Sequence, residues 1–296
     1  MIGGAGWRRT VLVISLGLAV GVGFGLRSAD PASADPPAAA ARAVLLADAV
    51  DAADVALARL AAELERARAH ARRGTALTVS GEAPAPELTS AADLLAGASD
   101  EADAARRGLL ALGGVAAAIR PAVMVPSLSY GGTDLELIAA QLRSSAPAAT
   151  LFVERRHATQ AVVDALAAAL AALERSDPSA ALDSLATADA PFSLLDAWVE
   201  RPPLLRYWMM ISSDLLDAAG DIARATLSDD AAALKAAGER YARAAEAARG
   251  ADNALALSLS EAGAAISATP LRRLAAVADE VDEARSELPN VLQPGT

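Results

Sequence analysis

Apolar residues recur at alternating spacings of four and three residues along the chain from Leu46 to Ala67. No proline or glycine occurs between residues 38 and 73. A repeat of about 3.5 residues places these side chains on one face of an α-helix and is typical of helices that pack nearly parallel or antiparallel. The pattern predicts one long helix over about residues 38–73. Its apolar stripe comprises Leu46, Val50, Ala53, Leu57, Leu60, Leu64 and Ala67.

Three further stretches carry the same alternation, and alanine fills many of their apolar positions. No stretch alternates with a period of two for long enough to predict a β-strand. We therefore expect an all-α fold, a multi-helix antiparallel bundle of long, alanine-rich helices. The three further stripes comprise Phe152, Arg156, Thr159, Val163, Leu166, Leu170 and Leu173; Leu204, Trp208, Ile211, Leu215, Ala218, Ile222 and Ala225; and Leu234, Ala237, Tyr241, Ala244, Ala248, Ala251 and Leu255.

Glycine and proline predict where the helices end. Residues 74–86 contain two glycines and two prolines and are predicted to form a loop. A second helix is expected at about residues 90–119, with an interruption near Gly113-Gly114, and it completes an N-terminal region of residues 35–120. An irregular hinge is expected at residues 121–132, and a C-terminal helical bundle at residues 133–296.

Within the C-terminal bundle, a short helix is predicted over residues 134–142, and Pro147 is predicted to open the next helix. The final helix is expected over about residues 270–287. Two similar turns, at Ser176-Asp177 and Ser228-Asp229, are each predicted to end one helix and cap the next, because Ser and Asp side chains accept hydrogen bonds from free helix N–H groups.

The first 34 residues resemble an export sequence in layout. Arg8 and Arg9 precede an uncharged run at residues 10–26, and Ala32 and Ala34 form a small-x-small cleavage site. The run has 17 residues, four of them glycine, whereas a membrane-spanning helix needs about 20. Cleavage after Ala34 is therefore favoured. The alternative is a single-pass anchor through residues 10–26 with a cytoplasmic N-terminus; both place the remaining chain outside the cytoplasm.

The composition restricts the chemistry of the chain. There is no cysteine, so disulfides, thiolate metal sites and a cysteine nucleophile are excluded. The formal net charge of −11 argues against binding nucleic acid through bulk electrostatics. The two histidines, His70 and His157, are not in a metal-ligand spacing, and His70 is interpreted as a cation near the C-terminal end of the first helix. Neither a metal nor a cofactor is expected.

Acidic residues recur in three groups along the predicted helices. Carboxylates on one helix face can hold a hard cation, but calcium sites normally use loops that also supply backbone carbonyls. We therefore expect these groups to face solvent. They comprise Asp48, Asp51 and Asp54; Asp214, Asp217 and Asp221; and Asp279, Glu280, Asp282 and Glu283.

Arg156 occupies a position of the second apolar stripe, between Phe152 and Thr159. A buried arginine requires a carboxylate or another anion. The simpler interpretation is an ion pair within the chain, or a stripe that begins only at Thr159; the functional one is recognition of an anionic ligand. The working hypothesis is a buried and paired Arg156.

Bulky side chains are concentrated between residues 192 and 210, namely Phe192, Trp198, Tyr207, Trp208, Met209 and Met210. They are expected to fill a core where short helices meet. The alternative is a groove for an apolar ligand or partner. Trp208 fits its stripe and is predicted to be buried, whereas Trp198 and Tyr207 are the better candidates for an exposed pair in such a groove.

No nucleophile, acid–base or phosphate-binding motif is present, so a non-enzymatic function is expected. The favoured function is an exported helical scaffold or protein-interaction domain of the cell envelope, with an unidentified protein partner and possible oligomers. The alternative is an extracytoplasmic carrier of a small apolar or anionic ligand, bound by Trp198, Tyr207 and Arg156. A deep pocket lined by the aromatic cluster would favour the carrier, whereas a flat acidic surface with a filled core would favour the scaffold.

Overall fold

The computed structural model describes residues 36–199 and 201–293, and this part of the chain is helical, with no β-strand. The all-α prediction is confirmed. The predicted signal peptide or anchor, with its cleavage residues Ala32 and Ala34, lies outside the described residues. The helices are α1 (Pro36–Ser80), α2 (Ala85–Gly97), α3 (Ser99–Ile119), α4 (Gly132–Glu174), α5 (Pro178–Ala186), α6 (Asp189–Asp196), α7 (Leu205–Leu227), α8 (Ala231–Ala265) and α9 (Ala268–Leu292).

The helices are divided between two compact units. The first unit takes its described residues from 36–65, 96–136 and 276–293. Asp54 of α1 accepts a hydrogen bond from Arg285 of α9 at 3.2 Å within it. The second unit comprises residues 66–95 and 137–275, apart from residue 200. It contains the aromatic cluster and the candidate site. None of the described helices alone is long and apolar enough to cross a membrane; α8 and α9 pass that test only as a pair, bent by 51°.

The apolar stripe of α1 is confirmed, since all seven predicted residues are at most 5% exposed. The predicted loop at residues 74–86 is wrong in its first half, because the helix continues to Ser80. Gly74 lies against Leu88, and a Cβ on Gly74 would stand 2.8 Å from the Leu88 Cγ and Cδ2 atoms. This glycine therefore permits a close approach. The helix ends at Gly81, whose φ of +88° favours glycine.

α4 is one helix where two were predicted. It passes through Pro147, which was expected to open a new helix. Proline removes one helical N–H donor and is normally disfavoured in a helix interior. The hydroxyl groups of Ser144 and Ser145 donate to the Gln141 carbonyl in the preceding turn, at 2.8 and 2.9 Å. Pro147 itself leaves the Arg143 carbonyl, four residues earlier, without its helical N–H partner, and the helix nevertheless continues to Glu174.

Thr159 of the predicted α4 stripe is buried, but beyond it the buried stripe is displaced by one residue from the predicted one. Val163 is 40% exposed, whereas Val162 is buried. Alanines, rather than the neighbouring leucines, occupy the buried positions further along, and Ala169 and Ala172 pack in one cluster with Ala181 of α5 and Ala223 of α7. Small side chains lie at this contact because the helices approach closely.

Residues 120–131 are irregular, as expected, and both ends of the segment are fastened to α9. The Arg120 guanidinium donates to the Leu292 and Gln293 carbonyls at 3.0 and 2.9 Å, and so caps the C-terminal end of α9. The Ser129 hydroxyl donates to Glu280 at 3.0 Å. A hinge function for this segment remains a prediction. The break between α2 and α3 lies at Ala98, not at Gly113-Gly114.

The two similar turns cap helices, as predicted. The capping residue is the aspartate of Ser176-Asp177 in the first turn, but in the second it is Asp230, one residue after Ser228-Asp229. Asp177 caps α5 by accepting from the Ala180 N–H, and Asp230 caps α8 by accepting from the Ala232 and Ala233 N–H groups. The residue before each cap, Ser176 or Asp229, has a positive φ of 61° or 53°. The positions that correspond in geometry are therefore 53 residues apart.

Candidate functional site

The aromatic cluster forms a filled core in the second unit. Trp208 and Trp198 are 3% and 5% exposed, and they share this core with buried residues of α4 and α8. The Trp208 indole Nε1 donates to Asp252 Oδ1 at 2.7 Å. Trp198, a candidate for an exposed pair with Tyr207, is instead buried, and its ring packs edge-on against Phe152 with centroids 5.7 Å apart. The prediction that Tyr207 is exposed is confirmed, at 49%.

The cation that meets Trp198 is Arg155. Its guanidinium carbon lies 5.0 Å from the centroid of the Trp198 ring, in cation–π geometry. The Arg155 Nε is buried and has no hydrogen-bond partner among the described residues. The Trp198 ring therefore has Phe152 and Arg155 as immediate partners, and the predicted ligand-binding role of its indole remains a prediction.

Arg156 lies instead at the C-terminal end of α1. Its Cδ and Nε lie 3.5 Å from the position that a Cβ on Gly81 would occupy, and His157 Nε2 donates to the Gly81 carbonyl at 2.7 Å. The expected ion pair of Arg156 is wrong within the described part of the chain, and its NH1 is buried without a hydrogen-bond partner there. The C-terminal end of a helix carries partial negative charge, which compensates a nearby cation.

His70 does not occupy the helix end at which it was placed, because α1 continues for ten residues beyond it. Its Nδ1 lies 2.6 Å from Glu87 Oε2 of α2, and the Arg73 guanidinium donates to the other Glu87 oxygen at 3.3 Å. The His70 hydrogen bond, assisted by Arg73, lowers the pKa of Glu87 below 4.5. His70 therefore joins two helices.

The acidic groups serve as surface and ion-pair residues. Asp48 and Asp51 are exposed, and Asp221 accepts from Arg224 of α7 at 2.7 Å and from Arg240 of α8. The Arg224 hydrogen bond, with Arg240 nearby, lowers the pKa of the Asp221 carboxyl. Within residues 36–199 and 201–293, no three histidine or carboxylate side chains are grouped so as to hold a metal ion.

A small cavity adjoins the aromatic core. Its volume is about 60 Å³, and its lining includes Trp208, Ser212, Leu215 and Asp252. Pockets for drug-sized ligands are about 300–1,000 Å³, whereas a water molecule needs about 10–15 Å³ by a comparable measure. The cavity is therefore suited to a few water molecules, held by the Ser212 hydroxyl and the Asp252 carboxylate.

Exposed apolar side chains are concentrated around α6 and the start of α7. Five of them fall within 17 residues, and their exposed fractions range from 38% to 90%. Isolated apolar residues on a surface are ordinary, whereas a concentration of them is a feature of interaction sites. We call this group the α6–α7 patch; it comprises Leu194, Val199, Leu204, Tyr207 and Met210.

Met210 of the patch also lines an open depression of about 420 Å³. Its apolar walls include Phe192, Met209 and Met210, and its charged residues are Asp196, Arg201 and Arg206. Arg201 stabilises the end of α6, since its guanidinium donates to the carbonyls of Trp198 at 3.0 Å and Asp196 at 2.8 Å. Arg206 is exposed and forms no ion pair with any described residue. The depression thus combines apolar side chains with one cation free to bind.

No protein-family model, curated protein or solved structure matches this chain. The candidate site therefore rests on geometry. Of the three predicted ligand-binding residues, Tyr207 lies in the α6–α7 patch, Trp198 in the core beneath α6 and α7, and Arg156 at the end of α1. Sequence reasoning missed Arg206. Its spacing to Met209, Met210 and Ser213, which is that of one helix face, is the pattern that indicates it.

Proposed function

We propose that this chain is an extracytoplasmic helical scaffold that binds a protein partner through the α6–α7 patch. The observation that carries the proposal is the concentration of exposed apolar side chains beside the exposed Arg206. Aromatic residues, methionine and arginine are enriched at protein interfaces relative to other surfaces. Tyr207, Met210 and Arg206 are therefore the proposed anchors of the contact.

The filled core favours a scaffold over a carrier of small ligands. Trp198 and Trp208 are committed to packing and hydrogen bonding inside the second unit. The cavity beside Trp208 has room for little more than water. The depression beside the patch is open, a form that suits a protein segment better than an enclosed small molecule. A binding function without catalysis is accordingly our proposal, in a bundle whose helices we expect to be antiparallel.

The extracytoplasmic location rests on the sequence of residues 8–34, with its basic pair, uncharged run and small-x-small site. Intact-mass spectrometry of the protein isolated from the organism that encodes it tests this part. We expect a mass that corresponds to a chain beginning at Asp35. A mass corresponding to a start at or near Met1, in a membrane fraction, would replace the cleaved form with the anchored one.

Site-specific photo-crosslinking in those cells tests the binding surface. A photoreactive amino acid replaces Met210 in one variant and Leu227 in a control; both positions are on α7, with 56% and 55% exposure. We expect a discrete protein adduct from position 210 and none from position 227. Adducts of equal yield from both positions, or none from position 210, would contradict the proposal. The adduct is then identified by mass spectrometry of its tryptic peptides.

A further inference from the structure

The outer face of α1 carries exposed carboxylates flanked by apolar side chains, which could pair with the cation and apolar walls of the α6–α7 depression. Val44 and Val55 are 58% and 50% exposed, and Asp48 and Asp51 are exposed between them. The four residues are spaced at i, i+4, i+7 and i+11, so they form one stripe along the helix. This stripe, which we call the α1 outer stripe, lies on the side of α1 opposite its buried leucines.

The two surfaces are complementary in charge and in apolar character. The α1 outer stripe offers two carboxylates flanked by valines, and neither Asp48 nor Asp51 has an ion-pair partner within the described part of the chain. The depression offers Arg206 beside Met209 and Met210, and its carboxylate, Asp196, is paired with Arg201 at 3.6 Å. An amphipathic helix that lays its apolar face in a groove is a recurrent mode of recognition, and opposite charges fix its position.

We propose that the α6–α7 depression of one copy binds the α1 outer stripe of a second copy. This inference rests on the proposed binding function of the same surface and names its occupant. Because the two surfaces differ, the contact is head-to-tail, so each bound copy still presents one free surface of each kind. Such contacts build rings or open chains rather than closed dimers. The self-association weakens as salt is added, because exposed charges are screened.

Charge reversal tests the pairing in sedimentation velocity runs at low ionic strength, from about 1 μM to about 1 mM, the range in which weak protein contacts dissociate. We expect the wild-type protein to self-associate as its concentration rises. Arg206→Glu, or Asp48→Arg combined with Asp51→Arg, each places like charges across the contact and weakens association about tenfold or more. An equimolar mixture of the two variants restores association, because each reversed surface then meets its complement.

Two further variants control for net charge. Arg272→Glu makes the same change as Arg206→Glu on an exposed site of α9, and Asp282→Arg with Glu283→Arg matches the double variant. Both are expected to associate like the wild-type protein. Circular dichroism verifies that every variant keeps its helical content, so that loss of association is not loss of fold.

Three results would overturn the inference. The first is a wild-type protein that stays monomeric throughout; if position 210 still crosslinks to a different protein, the proposed binding function stands and only its occupant is wrong. The second is a mixture of the two reversed variants that fails to associate although both are folded. The third is weakened association by Arg206→Glu but not by reversal of Asp48 and Asp51, which would mean that another surface occupies the depression.

Discussion

At the scale of single residues, Gly74 of α1 matters because its missing side chain allows Leu88 of α2 to approach the helix closely. Leu88 is fully buried against it, and the distance leaves no room for a methyl group. Alanine is normally the better residue in a helix, by about 1 kcal/mol. At this position the steric cost is expected to exceed that gain, since overpacking a core typically costs about 1–3 kcal/mol.

We therefore predict that Gly74→Ala lowers the free energy of unfolding by up to about 2 kcal/mol, which is the overpacking cost less the helix-propensity gain. The matched control is Gly114→Ala in α3, where a Cβ would meet no atom within 4 Å, and it should raise stability by about 0.5–1 kcal/mol. Urea unfolding followed by circular dichroism measures both. A Gly74→Ala protein as stable as the Gly114→Ala protein would show that the helices separate at no cost.

Glu87 supplies a prediction about pH. Its pKa is lowered in the folded protein, chiefly by the His70 hydrogen bond, so the ionised carboxylate stabilises the fold above pH 4.5. This contribution is lost as the pH falls through the lower, folded pKa. The stability difference between the wild-type protein and Glu87→Gln should therefore be largest at neutral pH and shrink below pH 4.5. A constant difference would contradict it; Glu136→Gln, at an exposed site, is the control.

At the scale of helices and turns, two chain reversals use the same geometry. In each, a residue with positive φ precedes an aspartate that caps the next helix. The Asp177 N–H bonds the Ala172 carbonyl and the Asp230 N–H bonds the Ala225 carbonyl, both at 3.0 Å. These six-to-one bonds are typical of helix ends that reverse direction. The turns therefore fix where α5 and α8 begin.

Because Ser176 and Asp229 have positive φ angles, glycine at either position is expected to raise the stability of the protein. Ser176→Gly should raise stability by about 1 kcal/mol, because a non-glycine residue pays about that amount in this conformation, and Asp229→Gly by less, since aspartate tolerates it better. Asp177→Ala and Asp230→Ala should each lower stability by about 1 kcal/mol through loss of the cap. Thermal unfolding measures all four, with Ser179→Ala as the neutral control. A stability loss from Ser176→Gly would contradict the assignment.

The buried face of a helix was predicted correctly from the sequence where large side chains occupy it. The prediction was wrong where small side chains occupy it. The stripe of α1 was predicted correctly because leucines define it. In α4 the leucines drew the prediction one residue away from the buried alanines. Gly74 and Pro147 were taken as helix breaks, but α1 and α4 continue through them. Of the α6–α7 patch, the sequence indicated only Tyr207. The surroundings of Arg155 and Arg156 could not be predicted, because they depend on residues far away in the sequence.

At the scale of the whole molecule, the division into two units falls inside helices rather than between them. The boundaries lie within α1, α2, α4 and α9. Each unit has its own buried residues, yet unfolding either would interrupt helices that also contribute to the other. Because helix formation is cooperative, we expect the two units to unfold together.

Two probes test this expectation. The mature chain that we propose begins at Asp35 and so lacks Trp7; its tryptophans, Trp198 and Trp208, both lie in the second unit. Their fluorescence then reports that unit, whereas far-ultraviolet circular dichroism reports the helices of both. We predict superimposable urea unfolding curves, the standard sign of a two-state transition. Curves with separate midpoints would mean that the units are independent.

The alanine-lined contact of α4, α5 and α7 has a consequence for how this chain can evolve. Replacing one of these buried alanines by glycine removes only one methyl group from the packed contact. A larger side chain at Ala169, Ala172, Ala181 or Ala223 would clash with a neighbouring helix. A leucine-rich core is destabilised mainly by substitutions that shorten its side chains. This alanine-lined contact is destabilised mainly by substitutions that enlarge them. Chains descended from a common ancestor with this one are therefore expected to keep these four positions small.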